Sequence, residues 1–221
     1  MNVLFDLDGT LTDPRHGIVA CIRHALVTLR EAVPPDDVLA TYIGPPLRDA
    51  FRDLLSSGGD AQRIESAIAA YRERFVTHGM FENAVYEGIP EALQALSARG
   101  ARLFVATSKP RVYAERILDH FGLSTYFETV YGSELDGGLS DKAELIAHAL
   151  TESALAPAES VMVGDRLHDI VGARRNRVYP VGALWGYGSE SELMDAGARV
   201  LLRTPRDVVS LGESERPDKG S

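Results

Sequence analysis

Short apolar segments recur along most of the chain, separated by stretches whose apolar residues have helical spacing. The segments are rich in β-branched or aromatic residues, which is typical of strands buried on both faces of a parallel sheet. They predict strands at residues 3–5, 102–106, 127–131, 160–163, 179–184 and 199–202. The spacing between them predicts helices at residues 89–100, 110–122, 140–150 and 165–175. This alternation indicates an α/β fold with a Rossmann-like, doubly wound parallel sheet as its core.

The pattern changes between Pro14 and Met80, where no strand-like segment occurs. We predict three or four helices there, separated by the breaks VPPDD, YIGPP and SSGGD and including residues 17–32, 47–55 and 61–78. A purely helical block inserted after the first strand indicates a second, smaller lobe. We therefore expect an α/β core domain at 1–14 and 81–211, a helical domain at 15–80 and a disordered tail at 212–221.

The amino-acid composition limits the kinds of molecule that the protein is expected to bind and the compartment in which we expect it. The chain has 221 residues, of which 45% are hydrophobic, and its formal net charge is −9. This acidic balance argues against a general nucleic-acid binder, which needs a basic face, although a local site can still take an anionic substrate. Cys21 is the only cysteine, which suits a reducing compartment. We find no signal-peptide pattern and no apolar run near the ~20 residues that span a membrane, so we expect a cytoplasmic protein.

Polar residues gather where the predicted strands end. In doubly wound sheets, ligands bind outside the carboxyl ends of the strands, so these residues are expected to share one site. They are Asp6, Asp8, Gly9 and Thr10 after the first strand, Thr107, Ser108 and Lys109 after the second, Lys142 near the start of a helix, and Asp165 and Asp169 after the fourth.

The charges of these residues indicate a chemistry. Converging carboxylates repel one another unless a cation neutralises them, and oxygen ligands without Cys or His favour a hard cation such as Mg²⁺. A divalent cation, a lysine and a threonine hydroxyl together can hold the oxygens of a phosphoryl group. One carboxylate in line with the phosphorus could then attack it to form an aspartyl-phosphate, while a second moves the proton of the leaving oxygen.

The motifs DLDGTLT, TSK, Lys142 and VGDRLHD occur in this order along the chain, and together they resemble the haloacid dehalogenase superfamily. The resemblance implies that Asp6 is the nucleophile and Asp8 the general acid/base. It also implies that Thr107 binds the phosphoryl group with the Ser108 main-chain N–H, next to the turn at Gly9. An Asp at position 8 favours phosphoryl transfer over halide displacement, because the dehalogenases of the superfamily lack it.

The same resemblance implies a metal site. Asp165 would bind Mg²⁺ together with Asp6 and the main-chain carbonyl of Asp8, and Asp169 would support the metal shell. Lys142 would neutralise the nucleophile and the phosphate. From the residues alone, Lys109 is an alternative for that last role, since a lysine in a first helical turn is usually solvated.

The helical block resembles the helical cap of the superfamily, and YIGPPL and GALWGYGSESELMDAGA resemble its phosphoglycolate phosphatases. The sequence departs from that pattern at the residue after Lys142, which is not proline, and at Arg166, Leu167 and His168, where relatives often carry Ser and Asn. In the cap, Arg48 is either an anion clamp or a solvated helix residue. Trp185 and Tyr187 could belong to the core or shape the mouth of the site, and we favour a structural role.

These features favour a Mg²⁺-dependent phosphomonoesterase acting on a small molecule, with phosphoglycolate phosphatase as the nearest group. A nucleoside 5′-monophosphate phosphatase is an alternative. So is a phosphosugar mutase of the β-phosphoglucomutase type, although Leu47 stands where we would align the cap arginine that such a mutase needs. A receiver domain of a two-component system also phosphorylates an aspartate. We reject this alternative because the phosphoacceptor of such a domain lies at a central strand, whereas Asp6 follows the first strand of this chain. We expect a monomer or a homodimer.

Overall fold

The computed structural model describes residues 1–56 and 60–211. Its strands are β1 (Asn2–Phe5), β2 (Thr12–Asp13), β3 (Ala84–Val85), β4 (Arg102–Pro110), β5 (Thr129–Ser133), β6 (Ser160–Gly164), β7 (Tyr179–Ala183) and β8 (Val200–Leu202). Its α-helices are α1 (Arg15–Thr28), α2 (Asp36–Ala40), α3 (Leu47–Leu54), α4 (Ala61–Arg74), α5 (Ile89–Ala98), α6 (Arg111–His120), α7 (Lys142–Glu152), α8 (Leu167–Arg175) and α9 (Glu190–Ala196). A π-helical turn, Phe75–Gly79, follows α4.

Six parallel strands form the main sheet in the order β5-β4-β1-β6-β7-β8. Side chains alternate between its faces, as in any strand. Val3 and Phe5 share an apolar cluster with α5 and α6, whereas Leu4 belongs to a second cluster with α7 and α8. Helices thus cover both faces, which explains the nearly uninterrupted apolar strands. The predicted doubly wound α/β fold is confirmed.

Strand β4 extends to Pro110, beyond the predicted end at Ala106. Its pairing with β5 shifts register between Thr107 and Pro110, so the strand bulges there. A bulge redirects side chains locally, and this one lies at the carboxyl edge of the sheet.

Helices α1 to α4 and the π turn form a helical insert, residues 15–79, whose two connections to the sheet pair as the antiparallel strands β2 and β3. Helix α2 was not predicted: the VPPDD segment was read as a break, but Pro35 is extended and Asp36 and Asp37 then occupy the first helical turn. The predicted helix 61–78 instead leaves α-geometry at Phe75. The division into domains remains a prediction.

Two predictions fall partly or wholly outside the described residues: the SSGGD break includes residues 57–59, and the tail is residues 212–221. Within the described part of the chain, no helix combines the length and apolarity needed to cross a membrane.

Candidate active site

The turn after β1 brings two carboxylates to the carboxyl edge of the sheet. The Asp6 N–H donates to the Val163 carbonyl at 2.9 Å, which continues the pairing of β1 with β6 and fixes Asp6 on the edge. The chain then turns at Gly9, whose φ is +88°. A side chain at Gly9 is excluded because its Cβ would lie 2.2 Å from Asp165 Oδ2. Glycine at this position therefore allows the carboxylates to converge.

Lys142 is the cation at the centre of this edge. Asp141 caps α7 by accepting the N–H groups of Ala143 and Glu144 at 2.8 and 3.0 Å, so the helix starts with Lys142 pointing inward. Its Nζ lies 2.9 Å from Asp6 Oδ1 and 2.8 Å from Asp169 Oδ1. Burial disfavours the ammonium, but the two carboxylates outweigh it and raise the pKa of Lys142 above its usual value. The lysine therefore stays charged.

Asp165 is enclosed by two segments distant in the sequence. Thr10 Oγ1 donates to its Oδ1 at 3.2 Å, and the Tyr187 N–H donates to its Oδ2 at 2.8 Å. Glycines at 186 and 188 permit this approach, since a Cβ at either would lie 2.3 Å or less from an Asp165 atom. Burial, and then the charges of Asp169 and Asp6, raise the pKa of Asp165 well above its usual value.

Asp169 lies in the first turn of α8. Its Oδ2 accepts the Arg166 N–H at 3.1 Å, which closes the turn between β6 and α8. A Cβ at Gly164 would lie 2.2 Å from Asp169 Cγ, so this glycine lets the carboxyl group fold back against the strand end. Burial raises the pKa of Asp169 although Lys142 opposes the shift.

The carboxylate of Asp8 pairs with a second lysine, Lys109, and not with Lys142. Lys109 Nζ lies 2.7 Å from Asp8 Oδ2 and 4.7 Å from the centroid of the Phe75 ring in the insert. The other oxygen, Oδ1, is buried and has no hydrogen-bond partner among the described residues. Burial raises the pKa of Asp8, and Lys109 offsets only part of that shift. Asp8 is therefore suited to holding a proton with one oxygen left to exchange it.

The residues of the β4 bulge line the same edge. Thr107 is 2% exposed, and its Oγ1 accepts the Lys109 N–H at 3.3 Å. The Ser108 carbonyl accepts a hydrogen bond from Ser133 Oγ at 2.8 Å. The bulge is thus held to β5 beside Lys109, whose ammonium group pairs with Asp8.

The donor set fits a hard divalent cation. Carboxylate oxygens of Asp6, Asp165 and Asp169, all buried, lie within 4.8 Å of one another. With all four carboxylates ionised, the ammonium groups of Lys109 and Lys142 leave two negative charges uncompensated, and with a proton on Asp8 they leave one. Buried charges without a counter-charge are costly, and oxygen-only ligands match Mg²⁺ or a similar ion.

The structure brings Asp6, Lys142, Asp165 and Asp169 together and places Asp8 and Gly9 in the turn beside them. It places Thr107 and Ser108 in the β4 bulge, next to the Lys109 that pairs with Asp8. Lys142, and not Lys109, contacts Asp6. Arg48 is not brought to the edge: it pairs with Glu65 on the insert and its side chain is 51% exposed. Its role in binding substrate stays a prediction.

Sequence reasoning missed the contributions of two residues. Tyr187 was expected to be structural, yet its N–H holds Asp165 and its hydroxyl donates to Asp13 in β2. Arg166 was noted only as a departure from relatives. The glycines flanking Tyr187 were the available signal, because closely spaced glycines often mark a close approach of the backbone.

Comparisons with known proteins agree with this geometry. A family model described as haloacid dehalogenase-like hydrolase matches residues 3–183. A 5′-nucleotidase of Pseudomonas aeruginosa is 49% identical over 192 residues, which are 87% of this chain and 86% of the relative. The tyrosine-protein kinase PtkA of Mycobacterium tuberculosis is 42% identical over 212 residues, 96% of this chain and 71% of the relative. Phosphoglycolate phosphatases are among the further relatives.

The solved structures agree as well. The crystal structure of a predicted phosphatase from Clostridium acetobutylicum matches with a TM-score of 0.90 at 38% identity, covering 95% of this chain and 96% of that one. The family model spans the strand ends that carry the carboxylates, the two lysines and the β4 bulge. The chain therefore belongs to the family of haloacid dehalogenase-like hydrolases.

Proposed function

We propose that the protein is a Mg²⁺-dependent phosphomonoesterase that forms an aspartyl-phosphate on Asp6. The observation that carries this proposal is the position of Asp6. Its carboxylate is buried at the sheet edge, 2.9 Å from Lys142 Nζ, within a cluster of acidic groups that call for a cation. The family of hydrolases to which the chain belongs supports the same chemistry.

The first half of the reaction transfers the phosphoryl group to the protein. A carboxylate oxygen of Asp6 attacks phosphorus, so an O–P bond forms as the P–O bond of the ester breaks. Lys142 orients Asp6 through Oδ1. Asp8 donates its proton to the leaving oxygen, which departs as an alcohol. Thr107 and the Ser108 N–H hold the phosphoryl oxygens in this assignment.

The second half restores the protein. Asp8, now ionised and stabilised by Lys109, accepts a proton from a water molecule that attacks the aspartyl-phosphate. Inorganic phosphate leaves and Asp6 is regenerated. Asp6, Asp165 and Asp169 would hold Mg²⁺ together with the Asp8 main-chain carbonyl. The ion would supply positive charge to the phosphoryl oxygens.

We infer that the substrate is a nucleoside 5′-monophosphate. The support is the relative named 5′-nucleotidase, which is 49% identical to this chain. Phosphoglycolate remains an alternative. A phosphosugar mutase is disfavoured by Leu47, where a cap arginine would be required. The 42% identity to a tyrosine-protein kinase makes phosphoryl transfer to a tyrosine peptide the second candidate.

The test is phosphate release in the presence of Mg²⁺ from a panel of esters. The panel contains nucleoside 5′-monophosphates, phosphoglycolate and p-nitrophenyl phosphate, with β-glucose 1-phosphate assayed with and without glucose 1,6-bisphosphate. ATP with a tyrosine peptide forms a separate arm. We expect the highest kcat/KM for a 5′-monophosphate and no turnover in EDTA. Higher kcat/KM for phosphoglycolate, or net transfer to the peptide, would reassign the substrate.

The nucleophile is tested with Asp6→Asn. The amide keeps the size of the side chain but is a poor nucleophile, so hydrolysis is expected to fall at least about 10³-fold. Asp195→Asn is the matched control, because Asp195 is an exposed aspartate on α9. Substantial activity in Asp6→Asn with an unchanged circular dichroism spectrum would rule out Asp6 as the nucleophile.

A further inference from the structure

Arg166 joins the site loop to the helical insert. It lies between Asp165 and α8, and its Nη1 donates to the Ile43 carbonyl at 2.7 Å while its Nε donates to Glu192 Oε1 at 2.9 Å. A guanidinium presents several donors on one rigid plane, so a single side chain can hold two partners at once. Here one partner belongs to the core and the other to the insert.

The core end of this connection is firmly anchored. Glu192 Oε1 also accepts the Leu167 N–H at 2.9 Å, and the Glu192 N–H donates to Ser189 Oγ at 3.1 Å. Burial raises the pKa of Glu192, but the Leu167 N–H and Arg166 outweigh it and the net shift is downward. Only 17% of the Arg166 side chain and 22% of the Glu192 side chain are exposed, so solvent screens the pair weakly.

On the side of the insert, the backbone at Ile43 and Gly44 contacts the guanidinium group of Arg166. Ile43 is fully buried, and Gly44 has a φ of +105°. A Cβ at Gly44 would lie 3.3 Å from both Cγ and Nη1 of Arg166, so the loop touches the arginine with bare backbone. Pro45 and Pro46 follow and restrict the loop further. The YIGPP segment, predicted as a break between helices, thus places the Ile43 carbonyl and the backbone of Gly44 against Arg166.

We propose that Arg166 is a positioning residue that latches the loop 42–46 onto the turn carrying Asp165 and Asp169, and so sets how the insert closes over the phosphate site. The Arg166 N–H donates to Asp169 Oδ2, so one residue ties the insert to the acidic cluster. The proposal rests on the proposed function, because closure matters to turnover only if phosphate esters react beneath the insert.

The experiment compares Arg166→Gln and Arg166→Lys with the unmodified protein. Amide hydrogen exchange is followed in the segment 39–47, and KM and kcat are measured with the best ester of the panel. Glutamine keeps a polar group but loses the charge and the second donor. We expect about tenfold faster exchange in this segment, unchanged exchange in β1, and a KM about tenfold higher with kcat nearly constant, as befits loss of a charge-assisted hydrogen bond.

Lysine reaches one partner at a time, so Arg166→Lys should give intermediate values. The matched control is Arg102→Gln, which removes an arginine that pairs with Glu128 at the amino end of β4. It should change neither the exchange of the segment 39–47 nor KM. Unchanged exchange of this segment in Arg166→Gln, or faster exchange spread evenly through the protein, would overturn the latch.

Hydrogen exchange needs no turnover, so the two proposals are judged separately. If the unmodified protein hydrolyses an ester and the segment 39–47 is unaffected by Arg166→Gln, the latch is wrong and the phosphatase assignment stands. If no ester is hydrolysed, the exchange measurement alone decides the latch.

Discussion

At the scale of single residues, Asp165 shows most clearly the energetic cost of burying several carboxylates side by side. Its two oxygens accept hydrogen bonds from Thr10 and Tyr187, so the group is well oriented. Its pKa is nevertheless raised, by burial first and then by the carboxylates of Asp169 and Asp6. Good hydrogen bonding therefore does not offset the burial and the repulsion, and both favour binding of a cation by this cluster.

This predicts opposite effects of Asp165→Asn with and without metal. In EDTA the variant should be more stable than the original protein by about 1–3 kcal/mol, because one buried charge is gone and the Thr10 hydroxyl can turn to accept from the new amide. Saturating Mg²⁺ should stabilise the original protein and leave the variant unchanged. Urea unfolding in both buffers measures this, with Asp195→Asn as the control. A variant less stable in EDTA would contradict it.

Gly186 illustrates how a residue without a side chain supports the site. A Cβ there would lie 2.3 Å from Asp165 Cβ and 2.4 Å from the Gly9 carbonyl oxygen. Gly186→Ala should therefore push Asp165 out of position and weaken the apparent affinity for Mg²⁺ by about 10- to 100-fold, the usual range for changes around metal ligands. The affinity is read from the Mg²⁺ dependence of hydrolysis.

Gly122 provides the comparison. Its φ is +68° and a Cβ there would meet nothing within 4 Å. Gly122→Ala should cost about 1–2 kcal/mol of stability through backbone strain and leave Mg²⁺ affinity unchanged. Equal Mg²⁺ affinities in the two alanine variants would show that the fit around Asp165 is looser than the geometry indicates.

At the scale of elements, the end of α4 is tied to the connection that returns to the sheet. The π turn follows α4, and a Cβ at Gly79 would lie 2.3 Å from Cys21 Sγ, so the turn lies directly against α1. Arg74 and Glu82 form a bidentate pair across the turn, with N–O distances of 2.7 and 2.9 Å. The pair fixes where the insert ends and β3 begins.

The Arg74–Glu82 pair predicts a pH-dependent contribution to stability. Arg74 lowers the pKa of Glu82, so the folded state favours the ionised carboxyl. The stabilisation is then present above the usual glutamate pKa and is lost as pH falls through the lower folded value. Glu82→Gln should cost about 1 kcal/mol at pH 7, a modest value because the pair is partly exposed.

Urea unfolding from pH 7 to pH 4 measures this difference. It should shrink as the pH falls, because protonation removes the same charge from the unmodified protein. Glu128→Gln is the control, since Glu128 pairs with Arg102 in a more exposed setting and should show a smaller effect. A difference that stays constant with pH would mean that packing, and not charge, is what Glu82 contributes.

At the scale of the whole molecule, the net charge of −9 contrasts with a site that binds an anion. Two buried lysines provide local positive charge, and the divalent cation of the proposed mechanism would add to it, so the surface need not be basic. We therefore expect no measurable binding of a labelled RNA or DNA duplex below about 10 µM at 0.1 M salt, by fluorescence anisotropy. Micromolar binding that weakens with salt would reveal a basic surface that the overall charge conceals.

The fold and the core of the site followed from sequence, because both depend on patterns that are local in the chain. Apolar strands such as residues 3–5 and 160–163 reveal burial on two faces, and a parallel sheet brings its strand ends to one edge. Helix α2 was missed because its five residues are too few for a periodic signal. The predicted helix 61–78 is α-helical to Arg74 and continues as the π turn Phe75–Gly79, and the spacing of apolar residues gave no sign of that change in geometry.

The amino-acid pattern alone predicts the candidate residues Asp6, Asp8, Lys142, Asp165 and Asp169, because they stand at strand ends and helix starts that the hydrophobic pattern locates. Their pairing is seen only in the folded molecule. The tertiary structure assigned Lys142 to Asp6 and Lys109 to Asp8, wrapped the loop at Gly186 around Asp165, and set Arg166 against Ile43. Three of these contacts join residues more than a hundred positions apart, and the contact of Gly186 with Asp165 spans 21 positions. Packing in three dimensions, and not any local spacing, fixes the partner in each case.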